Sequence, residues 1–283
     1  MTSLSGIVLL TFRELWAKKT VIGLFVVSTL VLLLAAFALN LDIVEGSLAG
    51  IRLFGQDAAP TSSETDELSE MLDLRTVVVQ VEAVVAGVAY WLGILLALFA
   101  TAPLFSSMLE RGHVDLLLAK PMSRPQLMFG HVLGVWLAML VLCIYLLGGV
   151  WLIMSIKTGI WNPLFLLSIG LVLTMFGAIY ASVVLMGAWT ESTALTLIVS
   201  YGLIFVSLFL AGSDTLANQL NTTWRPVFWG LYHTLPNFTE VSAMVGSLSK
   251  GSEVSSWYPY WSSMGFGAVC YGIAGWIFSR KDF

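Results

Sequence analysis

Hydrophobic positions in this chain come in long unbroken runs rather than in alternating or half-turn patterns. Six stretches contain no Asp, Glu, Lys or Arg: Thr20–Leu41, Ala83–Leu109, Pro125–Ile156, Thr158–Thr190, Ser192–Ser213 and Val254–Ser279. A spanning helix needs about 20 apolar residues, because about 30 Å of hydrocarbon is crossed at about 1.5 Å per residue. Every run reaches that length and is apolar on all sides. A beta barrel would instead show alternating segments of about 10 residues. The pattern predicts spans at about 20–41, 83–109, 126–155, 163–189, 192–213 and 257–279. The first run is too long for a cleaved signal peptide, and no small-residue cleavage site follows it.

Between the runs the pattern changes. In residues 4–18, Leu4, Ile7, Val8, Phe12 and Leu15 approximate one helical face while Arg13, Glu14 and Lys18 are polar. This reads as an interfacial helix on the inner leaflet; the alternative is an extension of the first span. The loop 42–82 carries nine carboxylates and two arginines. Its second half, from about Ser62, reads as helical and running into the second span, with Glu64, Asp66, Glu67 and Glu70 near the positive end of the dipole. Its acids read as a solvated face, since no D-x-D-x-D loop supports calcium. The loop 214–256 and the start of the last span are aromatic, including Trp224, Phe228, Trp229, Tyr232, Phe238, Trp257, Tyr258 and Trp261. Trp and Tyr favour the membrane interface. Pro236, Asn237 and Glu240 mark a break followed by capping-box spacing, so two short helices dipping into or lying on the outer leaflet are expected. A re-entrant element of this kind is tolerated only where its backbone is satisfied. Asn221 and Asn237 match the glycosylation sequon by chance.

The fold class is therefore an all-α integral membrane protein, a single domain over residues 1–283. It has six transmembrane helices, an N-terminal interfacial helix, a short cytoplasmic helix in segment 110–125, and an outer hydrophobic hairpin before the last span. Composition agrees. Hydrophobic residues make up 58 % of the chain and charged residues 11 %, with mean hydropathy +0.89. Soluble domains carry about 25 % charged residues. A net charge of −4 gives no basic surface for nucleic acid. Lys and Arg placement sets the orientation. With the N-terminus in the cytoplasm, inner segments hold eight basic residues and outer ones five, while carboxylates divide five to twelve. Both termini are then cytoplasmic, in a plasma (inner) membrane.

The inner loop between spans two and three carries the candidate chemistry. It reads Glu110-Arg-Gly-His-Val-Asp-Leu-Leu-Leu-Ala-Lys-Pro-Met-Ser-Arg124, with an apolar triplet, Leu116, Leu117 and Leu118, between charges. Pro121 ends whatever helix forms, and Pro125 can open the third span. Full burial of one Leu is worth about 1.5–3 kcal/mol. An exposed triplet therefore calls for docking, on the membrane surface or on a protein.

E-R-G-x-x-x-L-L-L-A-x-P-M-S-R resembles the cytoplasmic coupling segment of ABC-2 type transporter permeases, and the closing Phe278-Ser-Arg-Lys-Asp-Phe283 resembles their C-terminus. Members often carry Gly-Thr where this chain has His113-Val114. The resemblance implies two paired permease copies, a homodimer, each docking a separate cytoplasmic ABC ATPase. Leu116, Leu117 and Leu118 would sit in a groove of the ATPase. Glu110, Arg111, Asp115, Lys120 and Arg124 would form salt bridges, and Pro121 would close the segment. ATP and Mg would belong to the partner, and the chain itself would carry no cofactor. Export of a hydrophobic, lipid-linked or other cargo is implied, and the acidic outer loop leaves room for a periplasmic or extracellular partner.

The residues themselves exclude a motor on this chain. A phosphate-cradling loop needs G-x-x-x-x-G-K-S/T, and no Gly-Lys dipeptide occurs. Protease and hydrolase motifs are also missing. The span centres carry no carboxylate, as a proton-coupled transporter would require. His131 reads as interfacial, His233 has no evident partner, and Glu191 marks a cytoplasmic turn. Cys143 and Cys270 lack metal or redox spacing and read as small apolar residues. Gly130 and Gly134, and Gly177 and Ala181, mark close helix contacts within or between subunits. Gly148, Gly149 and Pro103 are candidate hinges. Spans two and five would line an apolar dimer interface offering Ser200, Tyr201, Ser207 and Phe209. The other reading open to this chain is a non-transporting membrane anchor or scaffold subunit.

Overall fold

The computed structural model describes residues 3–17, 19–44, 47–53, 56–57, 74–108, 123–211 and 224–280. Among the described residues outside 39–57, the regular elements are helices. α1 is Ser3–Ala17, and α2, Lys19–Leu33, runs into a π-turn at Leu34–Ala38. α3, Leu74–Val88, passes through a π-turn at Ala89–Gly93 into α4, Ile94–Met108. α5, Arg124–Cys143, does the same through Ile144–Gly148 into α6, Gly149–Thr158. A 3-10 turn, Pro163–Leu166, leads into α7, Leu167–Thr190, followed by α8, Thr193–Leu210. α9, Arg225–Thr234, and α10, Phe238–Ser249, precede α11, Tyr258–Arg280.

Among the described residues, four helices are long and apolar enough to cross a bilayer: Arg75–Met108, Pro125–Thr158, Pro163–Thr190 and Thr193–Leu210. The first of these has 34 residues. At about 1.5 Å each that is about 50 Å, longer than the hydrocarbon thickness alone requires. The helix thus begins before the 83–109 span read from the sequence. The apolar helix Val21–Phe37 is shorter, and α11 is long but diluted by Gly, Ser and Tyr.

The end of the first run is corrected. Residues expected in the span to position 41 leave the helix at Leu39 and enter a meander of β1, Leu39–Val44, β2, Ser47–Leu53, and β3, Gln56–Asp57. Its order is β1-β2-β3, antiparallel, with Leu39 opposite Leu53 and Arg52 opposite Asp57. Leu39-Asn40-Leu41-Asp42-Ile43 alternates with period two, which is strand patterning.

Residues 4–18 are helical as read, but the stripe Ile7, Thr11 and Leu15 is covered by protein. α1 packs lengthwise on α5. A Cβ on Gly130 would lie 3.0 Å from Ile7, and one on Gly134 2.7 Å from Thr11. Leu15 gathers with Val21 and Ala138. Further along, Phe25 faces Tyr145, and a Cβ on Gly149 would meet Leu32 at 2.7 Å. α1 and α2 therefore follow α5 and α6 in parallel from end to end. The small residues Gly130 and Gly134 form the groove that lets α1 approach, so this pair serves contact inside the subunit.

α7 is the hub. It packs on α11, α8, α4, α10 and α5, and most of its residues are buried. Gly177 is where α5 and α11 close on it. Trp136 Nε1 donates to Tyr271 Oη at 3.3 Å, and Tyr271 Oη donates to the Gly177 carbonyl at 2.9 Å. A Cβ on Gly267 would lie 2.9 Å from Ala178 Cα, so α11 and α7 touch backbone to backbone there. α7 ends at Glu191, whose φ of 55° is the left-handed conformation typical of a helix C-terminus. Its amide donates to Gly187 at 3.0 Å.

Candidate functional site

Two ends of the bundle matter. At one end, most of the candidate coupling residues, Glu110, Arg111, Asp115, Leu116, Leu117, Leu118, Lys120 and Pro121, lie outside the described residues. Arg124 is the first residue of α5, and its side chain is also outside the description. The described parts are the two anchors of that segment. Ser123 precedes α5, and its amide donates to Gln126 Oε1 at 3.2 Å. It belongs to a capping box between Ser123 and Gln126, which fixes where the segment stops and the helix starts. Pro125 sits in the first turn, as expected.

Both anchors are set in packed protein. Met108, Leu127 and Met128 are buried. A Cβ on Gly187 would lie 2.7 Å from Phe105 Cδ1, so α4 presses directly on α7. His131, read as interfacial, is instead buried at 2 % exposure beneath α1. Its Nδ1 lies 3.4 Å from Thr11 Oγ1, and its ring centroid is 6.1 Å from that of Phe105. It is enclosed because α1 covers the face of α5 that the linear pattern left open. The described residues on either side of that segment, in α4 and α5, are thus packed against α1 and α7.

At the other end, α9 and α10 form a helical pair, and α10 is held by protein on several sides. It packs on α3 and α7 and buries Phe238, Val241, Met244, Val245 and Leu248. Its N-terminal turn sits beside Tyr90 and Trp91, halfway along the 34-residue helix. Three side chains from three other elements satisfy the backbone there. Tyr90 Oη donates to the Phe238 carbonyl at 2.6 Å, Ser263 Oγ accepts from the Asn237 amide at 2.9 Å, and Ser207 Oγ accepts from the Thr239 amide at 3.0 Å. Trp91 Nε1 adds a bond to Ser242 Oγ at 2.7 Å. A turn at such depth needs these partners because hydrocarbon supplies none. Polar Ser207 and Ser263 inside apolar runs were the available signal.

The capping box expected at Asn237 does not form. Glu240 Oε2 instead accepts from Tyr232 Oη at 2.7 Å, closing the hairpin on itself. Asn237 is 2 % exposed, which leaves its sequon without access. His233 does have a partner: its Nδ1 is hydrogen-bonded to Tyr258 Oη, and its ring stacks on Trp229. Exposed Trp224, Trp257 and Trp261 complete the aromatic set.

One acid departs from the solvated face expected for the 42–82 loop. Glu82 is fully buried in α3. Its Oε2 accepts from Asn162 Nδ2 at 2.8 Å, and the same amide donates to the Ser249 carbonyl at 2.9 Å. Trp151 Nε1 holds the Asn162 carbonyl at 3.0 Å. α3, the α6–α7 connection and the end of α10 are thereby tied together. Glu82 is enclosed because α10 folds back along α3, a tertiary event the composition of the loop does not encode.

Residues expected on a surface between spans two and five divide. Ser200 and Ser207 point inward, Ser200 Oγ lying 2.8 Å from Ser182 Oγ. Tyr201 Oη donates to the Leu95 carbonyl at 2.9 Å. Only Phe209 is exposed, with Ile198, Phe205, Leu92 and Phe99. Cys143 and Cys270 are free thiols. Among the described residues no His, Cys, Asp and Glu group is placed to hold a metal.

Replacing Tyr90 by Phe is expected to leave the buried Phe238 carbonyl unpaired and to cost about 1–3 kcal/mol. Thermal unfolding of the purified variant in detergent checks this. An unchanged midpoint would mean another donor serves that carbonyl.

A family model described as an ABC-2 family transporter protein matches residues 7–283. No curated protein matches the chain.

Proposed function

Because this chain belongs to the ABC-2 family of transporter proteins, we propose that, as the transmembrane permease of an ABC transporter, it is driven through segment 110–125 by a separate cytoplasmic ATPase. The observation that carries the reading is a family match over almost the whole chain, joined to four helices of spanning length. The extended α1–α2 run and α11 are the two further spans, giving six in all. Both termini and the 110–125 segment face the cytoplasm, in keeping with the eight-to-five division of basic residues. The membrane is the plasma (inner) membrane.

In this mechanism the ATPase grips Leu116, Leu117 and Leu118, with Glu110, Arg111, Asp115, Lys120 and Arg124 as its charged contacts. Closure of the ATPase on ATP pushes the segment. α4 and α5 carry the push because Phe105 bears on α7 at Gly187 and because α1 lies in the Gly130–Gly134 groove. Two copies pair, with exposed Phe99, Ile198, Phe205 and Phe209 forming the apolar contact between them. The spans suit a hydrophobic or lipid-linked cargo moved outward.

The test is a mild-detergent pull-down of the tagged full chain from its native membrane, with mass spectrometry and an ATPase assay. A roughly equimolar ATPase bearing a phosphate-binding P-loop is expected. Recovery of the chain alone, or with partners that do not hydrolyse ATP, would overturn the coupling reading in favour of an anchor subunit.

A further inference from the structure

Near mid-depth of the bundle the packing leaves an apolar cavity of about 70 Å³, partly open at one side. Leu24 and Ser28 of α2, Gly93, Met139 and Cys143 of α5, and Phe176 of α7 form its wall. These residues lie close to the midpoints of the apolar helices Val21–Phe37, Arg75–Met108, Pro125–Thr158 and Pro163–Thr190. The cavity has a local cause. The π-turns Ala89–Gly93 and Ile144–Gly148 both border it. A π-turn inserts one residue into a helical turn and throws its side chains out of register, so the facing helices cannot close there. Gly93 adds room, since a Cβ on it would meet nothing within 4 Å.

What fills the space follows from its surroundings. Apolar cavities stay dry, because a buried water needs two to four polar partners. Ser28 is the one hydroxyl on this wall. An empty void would forfeit the dispersion contacts of its lining. At the middle of four apolar helices, the substance at the open side is hydrocarbon. The volume is several times that needed by one water, enough for a short stretch of alkyl chain and too small for a headgroup.

We propose that this cavity holds part of an acyl chain of a bilayer phospholipid, lodged between the two π-turns against Met139, Cys143 and Phe176. The lipid is a bound component of the subunit, not its cargo, so the proposal stands apart from the ATPase reading.

The experiment uses the full chain in nanodiscs of phosphatidylglycerol and phosphatidylcholine, a small fraction of the phospholipid carrying a diazirine in mid-acyl chain. After illumination, adducts are mapped by peptide mass spectrometry. Adducts at Met139, Cys143 or Phe176 are expected, beside those at outward-facing Leu92 and Val141. In Gly93→Leu the new side chain occupies the cavity, and the inner adducts should fall at least fivefold while the outward ones persist. Ser28→Leu fills it from the opposite wall and should do the same. Gly23→Leu, exposed on α2 with open space around it, should leave the pattern unchanged. The proposal is overturned by wild-type adducts confined to outward faces, or by inner adducts that survive both filling variants. Labelling by a diazirine fatty acid but not by the phospholipid would overturn it as well.

Discussion

Gly177→Leu should fail to accumulate as a folded protein, and even Gly177→Ala should lose a large part of the stability. The reason is steric. A single Cβ at this position would lie 1.9 Å from Trp136 Cζ2 and 2.4 Å from Cε2. Trp136 cannot easily retreat, because its indole nitrogen is bonded to Tyr271, which in turn is bonded to Gly177. Overpacking a filled core costs about 1–3 kcal/mol and sometimes more. Here the clash also breaks two hydrogen bonds, each worth about 1 kcal/mol. Three helices meet at this point, so the damage spreads beyond one pair. The check is thermal unfolding in detergent beside Gly202→Leu, where a Cβ meets nothing within 4 Å. A Gly177→Leu protein as stable as the Gly202→Leu protein would refute the close approach of α5, α7 and α11.

Leu117→Asp should abolish ATP-driven transport while leaving the protein inserted. The expectation comes from the triplet Leu116, Leu117 and Leu118 flanked by charges. Docking that buries one Leu gains about 1.5–3 kcal/mol, and an unpaired carboxylate in its place adds a further desolvation cost. A combined loss of about 3 kcal/mol corresponds to roughly two orders of magnitude in ATPase affinity. Co-purification of the ATPase and transport in vesicles read the two consequences separately. Full docking with full transport would remove Leu117 from the coupling surface. Docking retained with transport lost would move its role from affinity to transmission of the stroke.

The apolar runs that hold the central helices were plain from the sequence, because long charge-free stretches suit a lipid environment, but their ends were not: the helix ending at Met108 begins before its run, at Leu74. Some finer features are local but ambiguous. Leu39 to Ile43 alternates, yet the alternation sits at the end of an apolar run, where length and hydropathy alone favour the helix. Ile7, Thr11 and Leu15 recur every four residues, which marks a buried stripe; the choice between a membrane surface and a neighbouring helix as its cover depended on Gly130 and Gly134, which lie far along the chain. Glu82 belongs by composition to an acidic loop and by position to the core. The coupling residues stand as the sequence presents them, since residues 109–122 lie outside the described structure.

The sequence by itself determined that this chain lives in a membrane, which stretches form its helices, and which family it resembles. All of these follow from local chemistry: backbone polar groups must be paired inside hydrocarbon, and a short motif keeps its identity without its neighbours. Tertiary structure alone decided that α1 runs along α5, that α10 returns beside α3, and that Ser207, Ser263 and Tyr90 close the hairpin turn. It also decided that a cavity remains between two π-turns. These are pairings of distant residues, and their free energy exists only when both partners have arrived, so no single stretch of sequence carries it.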